Sequence, residues 1–330
     1  MDCLEPPPTV FRILSHSIHL LSIPTYLIAL LSLLLIKSKV FTTYRIFLIW
    51  HVIENSCFEL YASFLIQPAV HPPYPLIRTT GFLSQWGVSS LIQFYFISTA
   101  IEYNGISINE MFYFRYKACL LNYRDHKFTY FLRACIYLTR FLAVFDPTFS
   151  VLTYDDAEDF QNQQKQSALF SSPSSTFLSC SSSFLVSPFA DYISSVLTVG
   201  WIIQTLAPTR YCIFIVPGVA IYVNQNVEKS VSAATWKIQQ QLLRSLSIQA
   251  LIHGIMLGLP NVMFLYAFFF GYSDEKLGYF AFLCLTYHGF ASTLAMIVFT
   301  RPLRVYILEG LGISKRAAST KVSMSVNNSS

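Results

Sequence analysis

Residues Tyr279–Arg304 read YFAFLCLTYHGFASTLAMIVFTRPLR. From Tyr279 to Thr300 there is no Lys, Arg, Asp or Glu, and the stretch then stops at Arg301-Pro302-Leu303-Arg304. About 20 apolar residues of helix cross the ~30 Å hydrocarbon core of a bilayer. The stretch is predicted to be a membrane-spanning helix. Two cations and a proline directly after it mark a cytoplasmic end, because Lys and Arg stay on that side and proline disfavours continuing the helix.

The rest of the chain has the same character. Its 330 residues are 54% hydrophobic and only 12% charged, against about 25% charged in soluble domains. Mean hydropathy is +0.49. A soluble fold with 29 Phe and so little charge would expose too much apolar surface. The net charge of +5 does not point to nucleic acid, since the cations lie in short loops between apolar spans. The seven Cys show no C-x-x-C spacing and no His-paired metal pattern, so no metal and no cofactor are expected. The N-terminus, MDCLEPPPTVFR, lacks the basic region and small-residue cleavage site of a signal peptide.

Seven spans are predicted: Ser17 to Ile36, Ile46 to Ile66, Val88 to Phe112, Phe128 to Phe145, one within Ile193 to Val223, Leu246 to Phe270, and the opening stretch. Residues 1–16 are expected to form an extracellular N-terminus, 17–304 the membrane domain, and 305–330 a disordered cytoplasmic tail. With the N-terminus outside, inner loops hold 16 of the 22 cations. Arg12, Arg78, Lys165 and Lys276 fall outside, and Arg140 and Arg210 within spans. That asymmetry is a strong orientation signal. An all-α bundle of seven transmembrane helices, N-terminus outside and C-terminus cytoplasmic, is the architecture of G protein-coupled receptors, an analogy of count and orientation only.

The predicted outer segment 146–190 is acidic and Gln-rich, then serine-rich (FSSPSSTFLSCSSSFLVSP). Serine at this density suits a loop. The segment reads as a cap over a ligand crevice, as a plain disordered loop, or as read-through of non-coding sequence. Cys3 and Cys180 are the two outer cysteines, and a disulfide between them is one possibility.

Several polar residues interrupt the spans. His51, Asn55 and Glu59 recur every four residues and share a helix face. An acid at mid-membrane normally faces the bundle interior, so Glu54 or Glu59 either lines a polar crevice or hydrogen-bonds neighbouring helices. His253 and Pro260 interrupt the sixth span, and Pro260 is a candidate hinge. His288 stands beside Gly289, with Ser292 and Thr293 one turn on. Candidate ligand-binding residues are Glu59, Gln93, Tyr95, Tyr266 and His288. At the inner side, Arg115 and Tyr116 end the third span, and NQNVEKSVSAATWKIQQQLLRSL reads as a helix running into the sixth. Its partial apolar stripe (Trp236, Ile238, Leu242, Leu243, Leu246) suits either a cytoplasmic partner or the lipid interface. Arg115, Tyr116, Lys237 and Arg244 are candidates for facing a G protein.

Together these motifs resemble the nematode serpentine chemoreceptors of class H (Srh) in the Str superfamily, with class I as the sister alternative. The resemblance covers nearly the whole chain. Pro24 and Lys37-Ser38-Lys39 are similar to that class's first span and inner loop, with the loop's Thr-Pro replaced. Trp50-His51, Glu59 (for the usual Asp) and Pro68 are similar to its second span. His71-Pro72-Pro73-Tyr74-Pro75-Leu76 resembles its first outer loop. Arg115-Tyr116 matches the end of its Glu-Asn-Arg-Tyr motif, with Tyr113 and Phe114 in the first two places. Ser232, Thr235, Gln239, Leu246, Gln249 and Pro260 resemble its third inner loop and sixth span. Tyr287-His288-Gly289, Ser292-Thr293 and Arg301-Pro302-Leu303-Arg304 resemble its ending, with Leu for Tyr. The resemblance implies a multi-pass plasma-membrane receptor on sensory cilia, no catalysis, a small-molecule ligand and a heterotrimeric G protein partner. A transporter or channel, or a diverged receptor that no longer signals, is the alternative.

Overall fold

The computed structural model describes residues 7–36, 42–70, 76–119, 127–153, 233–270, 274–310 and 312, together with 162–163, 165–166, 169–170, 180 and 183–185. The predicted fifth span and the first outer loop's His71 to Pro75 lie outside these residues, as does Cys3.

The first helix, α1 (Thr9–Leu35), follows three consecutive prolines, and Arg12 N–H donates to Pro8 O at 3.1 Å. Proline suits a helix start because its missing N–H has no intrahelical partner there. Thr9 to His16 are therefore helical, two turns more than the expected N-terminal segment allowed. Arg45 closes the far end, donating through Nη1 to Ile36 O at 2.9 Å. A cation there meets the orphan carbonyls and the negative end of the helix dipole.

The second helix, α2 (Thr42–Leu60), runs on into a π-helical turn, Tyr61–Ile66. Gln67 leaves it at φ 43°, in the left-handed region. Strands β1 (Pro68–Val70) and β2 (Leu76–Thr79) form an antiparallel pair, and β3 (Ser183–Leu185) adds to β2. Arg78 stands opposite Ala69 on one side and Ser183 on the other. The serine-rich segment is thus strand, not loop, at 183–185. Cys180 beside it is buried and disulfide-bonded. Gly81 turns the chain into α3 (Phe82–Gln85), donating to Ile66 O at 2.7 Å. A Cβ there would lie 2.5 Å from Leu65 O, so only glycine fits.

Four long helices follow: α4 (Ser90–Cys119), α5 (Lys127–Thr153), α6 (Ala233–Phe270) and α7 (Glu275–Phe299). The α5 helix runs eight residues beyond the expected Phe145. The α6 helix is continuous through Pro260, and its first turns are the helical extension read in the sequence. Asp274 caps α7, accepting from Lys276 N–H at 2.9 Å. Thr300 is extended, and a short helix, α8 (Arg301–Gly310), begins behind it with Pro302 in its first turn. Arg304 donates to Val298 O at 2.9 Å and closes α7 as Arg45 closes α1. Val305 to Gly310, expected in the tail, are helical instead, and Leu303 of α8 is buried.

Among the described helices α1, α2, α4 and α5 alternate in direction, and α6 and α7 are antiparallel to each other. Phe11, Ala69, Leu257, Tyr279, Phe282 and Leu285 cluster at the sheet end. Leu33, Tyr44, Leu48, Met111, Phe112, Leu242, Leu246, Met296 and Leu303 cluster at the α8 end. Tyr95 of α4 meets Thr148 of α5, and Glu110 meets Arg140, so this pair is antiparallel too. Leu242 and Leu246 thus serve the protein's own core, not a partner's surface.

Among the described residues three helical segments, Thr9–Leu35, Gln240–Phe264 and Lys276–Phe299, are long and apolar enough to cross a membrane by length and composition. Outward faces are apolar: Leu20, Leu27, Leu31 and Leu34 on α1, and Leu251, Ile255, Leu259 and Val262 on α6 are exposed. The interior carries much of the polarity, the reverse of a soluble fold and the arrangement a hydrocarbon solvent favours.

Candidate functional site

The shared face of His51, Asn55 and Glu59 points fully into the bundle. His51 joins three helices. Its Nδ1 is 2.8 Å from Ser107 Oγ on α4, and its Nε2 is 3.2 Å from Ser292 Oγ on α7 and 3.2 Å from Asn55 Nδ2. The partners fix the proton. Asn55 Nδ2 can only donate, so Nε2 is the acceptor nitrogen and the neutral ring's Nδ1–H donates to Ser107, whose own hydroxyl reaches Asn104 O at 2.9 Å. Nε2 then accepts from Ser292 and Asn55. Glu54, one turn along, is half-buried beside this network.

Two further histidines complete this cluster. The His51 and His253 ring centroids are 5.2 Å apart, and those of His253 and His288 are 5.0 Å apart, edge to face. His288 also packs edge-on against Phe58 at 4.9 Å. His253 donates from Nδ1 to Gln249 O at 3.1 Å, and His288 from Nδ1 to Leu285 O. Carbonyls only accept, so the Nε2 of each neutral ring is an acceptor, and neither has a donor. Asn55 Oδ1 and Gln249 Oε1 are in the same condition. The cluster is acceptor-rich and suits a group that brings O–H or N–H. Among the described residues no group of His, Cys, Asp or Glu is arranged to hold a metal ion.

Glu59 belongs to a second seam, between α1 and α2. Ser22 donates to its Oε1, Tyr26 to its Oε2 at 2.7 Å, and His19 Nδ1 lies 3.2 Å from Oε1. Of the two sequence readings, this is the hydrogen bond to a neighbouring helix. Tyr26 in turn rests on α7. A Cβ on Gly289 would come within 2.8 Å of its hydroxyl and 3.0 Å of Asn55 Cβ. Small residues let helices approach to this distance.

The other candidates are dispersed. Gln93 is buried at the sheet end, donating to Val88 O at 2.8 Å and to Ser84 Oγ at 3.2 Å. Tyr95 bonds Thr148 at 3.3 Å. Tyr266 is 53% exposed and continues the outward stripe of Leu251, Ile255, Leu259 and Val262. It faces away from the interior where the sequence reading set it. At the other end Arg244 is exposed, while the side chains of Arg115, Tyr116 and Lys237 lie outside the described residues. Pro260 is buried within α6. Ser245 of α6 and Thr300, at the end of α7, share a hydrogen bond at 2.9 Å.

Two features went unread in the sequence. His19, Ser22 and Tyr26 recur at helical spacing in an otherwise apolar helix, which signals a polar seam. Glu110 and Arg140 form an ion pair between α4 and α5, for which no local signal exists.

The family model described as serpentine type 7TM GPCR chemoreceptor Srh matches residues 7–312. The chain belongs to this family. The Srh match spans every helix described above, from α1 to α8, and it carries the membrane, receptor and chemoreceptor character expected from the motifs. No curated protein and no solved structure matches the chain.

Proposed function

We propose that this Srh chain is a chemosensory receptor of seven spans, N-terminus outside, that binds a small environmental molecule and signals through a heterotrimeric G protein. The observation that carries the reading is the buried histidine cluster joining α2, α4, α6 and α7 inside a chain of a seven-helix receptor family. The count of seven rests on connectivity. The chain stands at the sheet end at β3 and at the α8 end where α6 begins, and we assign the crossing between them to the apolar sequence Ile193 to Val223, which lies outside the described residues. The inner cations orient it.

Ligand binding shifts a two-state receptor only through differential affinity. A ligand reaching the cluster from the sheet end, past Gln93 and Tyr95, would meet unpaired acceptors at His253 and His288. It would thereby change how α6 sits against α2 and α7. Arg115, Tyr116, Lys237 and Arg244 then present the inner face to the G protein, with Pro260 as the place where α6 bends. The plasma membrane of sensory cilia is the compartment this role requires.

The test is expression of the full chain in cells with a promiscuous Gα and a calcium readout, screened against water-soluble and volatile compounds. A response that depends on the Gα and is lost in His288→Ala at equal surface expression supports the reading. Surface-expressed protein that activates no Gα with any compound, while driving solute flux in proteoliposomes, overturns it in favour of transport.

A further inference from the structure

A cleft of about 270 Å³ opens between α2, α4 and α5, away from the histidine cluster. Phe47, Phe114 and Tyr137 form its aromatic walls, and Glu110, Arg133 and Arg140 supply its charge. Arg133 and Arg140 are two helical turns apart, about 10.5 Å along one face of α5. They face a single carboxylate: Glu110 is paired with Arg140, and Arg133 has no acidic partner among the described residues. The cleft therefore carries a net positive charge. It opens on the outside of the bundle, where Phe131, Tyr137, Leu138, Phe141 and Phe145 of α5 are exposed.

An unpaired guanidinium beside hydrocarbon is costly, so a partner is expected there. The partner that brings negative charge to a lipid-facing cleft is a lipid. The volume lies below the roughly 300–1,000 Å³ of sites that engulf a drug-sized ligand. It suits a headgroup whose acyl chains stay outside. Arginine forks match phosphate oxygens in pairs, and basic pockets between helices on the cytoplasmic side recruit anionic headgroups. Arg133 lies about 9 Å along α5 from Lys127. With the N-terminus outside, that is the depth of the cytoplasmic headgroup boundary.

We propose that this cleft binds an anionic phospholipid of the cytoplasmic leaflet. Arg133 holds the phosphodiester, Arg140 adds its field while retaining Glu110, and the acyl chains lie along Tyr137 and Phe141. The inference needs a membrane-embedded chain in the orientation above and does not depend on ligand or G protein.

The test is native mass spectrometry of the full-length protein in neutral detergent, with equimolar phosphatidylserine and phosphatidylcholine of identical acyl chains. Phosphatidylserine is expected to be retained about tenfold over phosphatidylcholine: both offer the phosphodiester, but only the serine carboxylate gives Arg133 one further charge-assisted hydrogen bond. Arg133→Gln should bring the two lipids level. Arg133→Lys should keep most of the preference, and Arg304→Gln, outside the cleft, should leave it intact. Excess inorganic phosphate should not displace the lipid, since it lacks the acyl chains. Equal retention by the native protein, a preference that survives Arg133→Gln, loss of it in Arg304→Gln, or displacement by inorganic phosphate would each overturn the assignment. Arg133 is exposed, so its substitution leaves the packing undisturbed. Lipid selectivity in a protein that activates no G protein would leave this site standing and sink the receptor reading alone.

Discussion

His51 and Ser107 are 56 residues apart and joined at 2.8 Å in the middle of the bundle. Because Asn55 donates to the opposite ring nitrogen, the imidazole is the donor here. The bond ties α2 to α4, while the opposite nitrogen ties α2 to α7. Hydrogen bonds between membrane helices average about 0.6 kcal/mol in double-mutant cycles and reach about 1.7. The His51–Ser107 bond is short and buried, so a value in the upper part of that range is expected. A cycle of His51→Ala and Ser107→Ala, read by reversible unfolding in detergent, should return a coupling of roughly 1 kcal/mol. Strictly additive losses would mean that the two side chains do not interact.

Gly289 and Tyr26 set a second, steric test. An added methyl at 289 would press on the Tyr26 hydroxyl at 2.8 Å, and Tyr26 is held in place by Glu59. Overpacking of this kind costs about 1–3 kcal/mol. Gly289→Ala is expected to lower the melting temperature of the solubilised receptor. Tyr26→Phe removes the oxygen that the methyl strikes. In the Tyr26→Phe background the same Gly289→Ala change should therefore cost measurably less. An equal loss in both backgrounds would place the constraint elsewhere, on Asn55.

These relationships mark what the sequence could and could not disclose. The stop at Arg301-Pro302 was legible, because a charge pair and a proline end a spanning helix by solvation and sterics alone. The helical run into α6 was legible for the same local reason. The inward face of His51, Asn55 and Glu59 followed from periodicity. Tyr266 did not, because α6 is apolar on nearly every side and its lipid face and inner face carry the same residue types. The three strands are three or four residues long and too short to show alternation. Which histidine meets which helix depends on packing across more than 200 residues, and no local rule encodes that.

Glu110 and Arg140 give a third prediction. The pair crosses from α4 to α5 with the arginine side chain 46% and the carboxylate 19% exposed. Arg140→Gln leaves an acid facing a cleft at membrane depth, which costs roughly 1–3 kcal/mol. Glu110→Gln/Arg140→Gln removes both charges and should recover much of that loss. Yield and thermal stability in detergent report both. A double variant no more stable than Arg140→Gln would show that the charges are not compensating each other.

Ser245 and Thr300 lead to the last prediction, which rests on the proposed signalling role. Their hydrogen bond at 2.9 Å joins α6 to α7 at the α8 end, close to exposed Arg244. Here α7 has just ended, so Thr300 is held by its own backbone bonds to Leu303 and Arg304 and cannot follow a moving α6. If this structure is the resting state and α6 parts from Thr300 on activation, the bond is made only at rest, and its loss favours the active state. A bond worth about 1 kcal/mol changes a two-state ratio roughly fivefold. Thr300→Val keeps the shape and removes the hydroxyl. It is expected to raise ligand-independent G protein turnover roughly fivefold at equal surface expression, with Ser245→Ala doing the same and the pair no more than either alone. Basal turnover equal to the native receptor in both variants would assign the bond to static packing and require α6 to move, if it moves, without parting from Thr300.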